Sequence, residues 1–143
     1  MSNQVITAVG GAMGAPILNE RLAAGAILPG HLVIEASGTV AVNATADAAA
    51  QKLFAQCNQA TAGDVTKAYA TGETVSYGAY HAGQEVYGIV AAGAASIADG
   101  APVTSAGDGT LKIGTVANAV GYAKQLTDNS GGATAVRILI RVA

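Results

Sequence analysis

Val136-Arg137-Ile138-Leu139-Ile140-Arg141-Val142 is the stretch whose reading decides the fold. Apolar residues, most of them β-branched, alternate in part with arginine, the period-two pattern of a strand with one buried face. Shorter runs of similar character recur back along the chain: Ala119–Gln125, Leu111–Ile113, Pro102–Ser105, Glu85–Ala91 and Glu73–Tyr80. Turn residues separate them at Asn129-Ser130-Gly131-Gly132, Gly107-Asp108-Gly109, Asp99-Gly100 and Ala82-Gly83. Many short strands with frequent turns belong to a barrel or sandwich. The sequence therefore predicts a mainly β chain: a small β-barrel or β-sandwich with one short helix and an extended N-terminal arm.

Upstream, Ala26-Ile27-Leu28 and His31-Leu32-Val33-Ile34-Glu35 flank a Pro29-Gly30 turn, and Ser37-Gly38 leads into Thr39-Val40-Ala41-Val42. These read as hairpin punctuation between strands. The expected helix spans Ala48 to Gln59, with Asp47 as N-cap and Leu53, Phe54 and Cys57 on one face. Residues 1–20 carry Val5, Ile6, Met13, Ile17 and Leu18 between Gly10, Gly11, Gly14 and Pro16, with neither period sustained. They are expected to form an extended arm that orders against a partner, with an edge strand followed by a loose terminus as the equal alternative, leaving 21–143 as a single barrel domain with one core.

The chain has 143 residues, of which 51% are hydrophobic, and only 11% are charged, against roughly 25% in average soluble domains. A surface this poor in charge is sticky unless other subunits cover it, so a homo-oligomer is expected. The net charge is −2 and the seven Lys and Arg are scattered, which argues against the phosphate contacts of nucleic-acid binding. No apolar run approaches the roughly 20 residues of a membrane helix, and the first 20 residues lack a basic leader. One cysteine excludes an intramolecular disulfide.

Candidates for chemistry are few. His31 and His81 lie far apart without cysteine partners, and Asp99, Asp108 and Asp128 sit near glycines in turns rather than in an acidic calcium ladder. Cys57 has no base nearby in sequence, and Gly107 and Gly109 are not followed by the lysine of a phosphate loop. No catalytic, cofactor or metal residue is predicted. Tyr77, Tyr80 and Tyr87 are the material for an aromatic sugar platform, although core packing or a subunit interface is the better account of them.

From Ala68 onward the order of elements resembles the capsid decoration (cement) proteins of tailed bacteriophages. The resemblance is carried by Ala68-Tyr69-Ala70-Thr71-Gly72-Glu73-Thr74-Val75-Ser76-Tyr77, Gly83-Gln84-Glu85-Val86-Tyr87 and Ile97-Ala98-Asp99-Gly100-Ala101-Pro102-Val103. It continues through Ser105-Ala106-Gly107-Asp108-Gly109-Thr110-Leu111 and Gly121-Tyr122-Ala123 to the final strand. It implies a structural protein on the outer surface of a virion capsid, present in the host cytoplasm during assembly. The implied partners are the major capsid protein and further copies of the chain, as a trimer that bridges capsomers. An arm bearing Val5, Ile6, Met13, Ile17 and Leu18 would reach a neighbour. A carbohydrate-binding or adhesin-like module, or another virion component of the tail tube or head completion, is the alternative reading.

Overall fold

The computed structural model describes residues 7–9, 17–49, 51–57 and 64–143. Their regular structure is almost entirely strand, in the order β1 (Thr7–Val9), β2 (Ile17–Ala23), β3 (Leu32–Ala36), β4 (Thr39–Val42), β5 (Leu53–Ala55), β6 (Thr74–Ala79), β7 (Glu85–Val90), β8 (Pro102–Ser105), β9 (Leu111–Ile113), β10 (Gly121–Ala123) and β11 (Val136–Val142). Among the described residues one 3-10 turn, Val116–Asn118, follows β9. Strands β2-β4-β3-β5-β6 close into a barrel. The remaining strands form a six-stranded sheet ordered β1-β7-β11-β10-β8-β9, and the Val90↔Leu111 pair brings β9 back onto β7 so that the sheet curls.

Register explains which residues are buried. Cross-strand partners project on the same face of a sheet. The barrel pairs Val33↔Val42, Val33↔Leu53, Leu53↔Ala79 and Ala55↔Tyr77 therefore share the barrel interior. Ala23, Val40 and Val75 join them in one core cluster. Leu32 and Phe54, paired with each other, project from the opposite face of the barrel wall. They belong to a second cluster with Val86, Val90, Val103, Leu111, Ile138, Ile140 and Val142 of the six-stranded sheet. Where the sequence led us to expect one core, the described residues form two, sharing a wall.

That shared wall corrects the expected helix. Within Ala48–Gln59 the described residues contain β5, and Leu53, Phe54 and Ala55 are all buried because the strand has core on both faces. A strand buried on both sides loses alternation, and a short continuous apolar run is indistinguishable from a helix segment by period. The backbone also refuses a helix here: Asp47 and Lys52 have φ of 62° and 54°. Asp47 is not an N-cap; its N–H donates to the Ser105 carbonyl of the other sheet. Cys57 is buried, as expected, but on the residues after a strand. Ala26–Leu28 is likewise no strand, since Ile27 makes only an isolated bridge to Tyr69.

Candidate interaction surface

The N-terminal region contributes two of the strands. Thr7–Val9 pairs with β7 of the same chain through Thr7↔Val86 and Val9↔Glu85. Ile17–Ala23 is β2, paired antiparallel with β6 from Ile17↔Ala79 to Leu22↔Thr74. Of the five residues expected on an arm, Ile17 and Leu18 therefore lie on a barrel strand. Val5, Ile6 and Met13 lie outside the described residues.

β2 is unevenly covered. Its second partner, β4, meets it only at Leu22↔Thr39 and Ala23↔Val40. Between Ile17 and Arg21 the edge turned away from β6 has no ladder partner among the described residues. The side chains follow suit: Ile17, Leu18 and Leu22 are 58%, 61% and 51% exposed. Ile17 continues the face that lines the barrel, past its last interior residues, while Leu18 and Leu22 project outward. An open strand edge carrying large apolar side chains on both faces is a template for another chain.

Charge on the inner end of β2 is internally neutralised. Arg21 Nη2 lies 3.1 Å from Glu35 Oε2, and Tyr77 Oη donates to Glu35 Oε1 at 3.0 Å. Burial, reinforced by the Glu35 carboxylate, raises the Tyr77 pKa. The patch Ile17–Leu22 thus presents apolar surface around Asn19 and Glu20, without an unpaired cation.

The other sequence candidates are distributed and structural. Tyr77 and Tyr80 are buried, so the set Tyr77, Tyr80 and Tyr87 does not form a sugar platform. Tyr80 packs edge-on against Phe54, ring centroids 5.7 Å apart. Asp108 Oδ1 accepts from the Thr110 N–H at 3.0 Å and from its hydroxyl, and Asp128 serves Ser130 in the same way. These bonds to the charged form hold both carboxyls below the usual range. Asp side chains closing their own turns need no metal. Among the described residues no three of His, Cys, Asp and Glu gather as a metal-binding group, and no helix is long and apolar enough to cross a membrane. The sequence did not reveal the exposed Leu22, because a strand's uncovered edge is a property of its neighbours.

No family model and no curated protein matches the chain. Among solved structures it is similar to the N base of the head fiber gp8.5 of bacteriophage phi29. That likeness has a TM-score of 0.55 at 14% identity, and spans 89% of this chain and 93% of that one. The two chains share a fold. The mainly β expectation holds, and the fold is one that a bacteriophage head fiber uses.

Proposed function

We propose that this chain is a non-enzymatic structural protein of a tailed-phage virion, bound to the outside of the capsid, where it bridges capsomers and stabilises the shell. The observation that carries the reading is the near full-length likeness in fold to a phage head fiber base. The sequence resemblance to decoration proteins points the same way, independently of that comparison. The open β2 edge, with Ile17, Leu18 and Leu22, supplies a contact surface. Full burial of such a side chain contributes roughly 1.5–3 kcal/mol, so three of them repeated over many copies make a substantial interface. In this reading Val5, Ile6 and Met13 of the N-terminal segment also serve capsid binding. The low charge fraction favours a homo-oligomer, a trimer in this reading.

Sedimentation of the purified protein with emptied phage heads stripped of it tests the proposal. The expected result is saturable binding, reduced by Leu18→Lys with Leu22→Lys, and heads that withstand higher temperature once decorated. Heads that neither bind the protein nor gain stability from it would overturn the capsid role. Light scattering that gives the 13.9 kDa of one chain at micromolar concentration would overturn the oligomer.

A further inference from the structure

The barrel and the six-stranded sheet meet at a second place besides the Leu32–Phe54 wall. It is built on the turn Leu28-Pro29-Gly30-His31. The His31 N–H donates to the Leu28 carbonyl at 2.9 Å, with Pro29 and Gly30 (φ 96°) at the centre, the pattern of a type II turn. Several polar groups of this turn reach across the joint. The Gly30 N–H donates to the Ala55 carbonyl at 2.8 Å, and Arg137 of β11 donates through Nη1 to the Pro29 carbonyl and through Nη2 to the Val65 carbonyl. A Cβ on Gly30 would sit 2.1 Å from Arg137 Nη1, so the guanidinium comes this close only over glycine. The turn Gly107–Thr110 closes the joint from the sheet side. Leu32 N–H donates to the Gly109 carbonyl at 2.8 Å, and a Cβ on Gly109 would sit 3.0 Å from His31 Cγ and Val42 Cγ1, so that a neighbour would have to shift to admit it.

In the middle of this joint His31 Nδ1 accepts the Leu28 N–H at 3.0 Å. That bond needs the Nδ1 lone pair, so it exists only with the ring neutral and its proton on Nε2. The charged groups that act on the ring are Asp108, from the Gly107–Thr110 turn, and Arg137, from β11. Asp108 is already committed to Thr110, and Arg137 has carbonyl partners but no carboxylate partner among the described residues.

We propose that His31 is an acid-sensitive clasp: taking up a proton at Nδ1 sets an N–H against the Leu28 N–H, places a second cation beside Arg137, and loosens the barrel from the six-stranded sheet. Burial, with Arg137 adding to it and Asp108 opposing, holds the His31 pKa below its ordinary value. The sign follows: the unfolded or opened chain binds the proton more readily, so closure is fully stabilised above about pH 6.5 and weakens as the pH falls below it. His81, exposed and on a different turn, serves as the internal control.

Amide hydrogen exchange between about pH 7.5 and about pH 5, corrected for intrinsic rates, reads the clasp directly. The reporters are the amides that cross the joint, Leu32 to Gly109 and Asp47 to Ser105; Ile138, within its own sheet, is the reference. Protection of Leu32 and Asp47 is expected to fall several-fold relative to Ile138 on acidification. In His31→Asn, whose amide oxygen keeps an acceptor near the Nδ1 position and does not titrate, the fall should be absent. An equal fall in His31→Asn would overturn the clasp. A second measurement uses the unmodified protein: the Leu28 amide resonance should shift with the titration of His31 and not with that of His81. A Leu28 resonance that stays put while His31 titrates would overturn it as well.

Discussion

β2 and β11 are both seven residues long, and both carry apolar residues among arginines, one in β2 and two in β11, yet they spend those residues differently. β11 is flanked along its length by β7 and in part by β10, and Ile138, Ile140 and Val142 alternate into a core. β2 has β6 on one side and, for most of its length, nothing described on the other; its large apolar residues Ile17, Leu18 and Leu22 stay exposed. The one strand's hydrophobicity is consumed by folding, the other's is left over. In a protein with so little charge, this leftover apolar edge is the surface that, under the proposed function, a partner would cover.

That contrast orders the expected effects of substitution. Ile140→Ala, at a fully buried position, should cost about 2–5 kcal/mol in urea unfolding. A loss below about 1 kcal/mol would mean the sheet core repacks freely. Gly30→Ala should cost about 1–3 kcal/mol, since its backbone is left-handed and Arg137 occupies the space a side chain needs. The same change at Gly38, also left-handed but with open space around it, separates backbone strain from the Arg137 contact.

Tyr69→Phe is a smaller break. The Tyr69 hydroxyl donates to the Gln56 carbonyl at 2.8 Å, a bond worth roughly 1 kcal/mol. Burial pushes the Tyr69 pKa up from 10.0 to about 12. The unfolded chain therefore releases this proton first, and stability that is full below about pH 10 is lost as the pH rises toward about 12. Melting curves across that range should fall more steeply for the unmodified protein than for Tyr69→Phe. Parallel curves would remove Tyr69 as the alkaline trigger.

Much of this is legible in the sequence. β11, β8, β9 and β4 follow their residues closely, because each alternates or is bounded by turn residues such as Gly107-Asp108-Gly109. β5 was not legible, since Leu53-Phe54-Ala55 is buried on both faces and its flanking positive φ angles at Asp47 and Lys52 fall on non-glycine residues that leave no signature. The division into two clusters was hidden for a related reason: Leu32 and Val33 look alike in sequence but face different cores. At the candidate surface, Ile17 and Leu18 stood out as apolar residues without a period. Their place on an uncovered strand edge depends on how little of β2 the distant strand β4 covers.

The smallest expected effect on stability is also the sharpest test. Leu18→Lys with Leu22→Lys places charge on the outward face of β2, where substitution should change unfolding free energy by no more than about 0.5 kcal/mol each. The decisive measurement is the binding of this double variant to emptied phage heads, taken beside its melting temperature. The expected result is a melting temperature close to the parent's and a loss of head binding. A variant that binds as tightly as the parent, or that melts as early as Ile140→Ala, would contradict the claim that β2 carries its apolar residues for a partner.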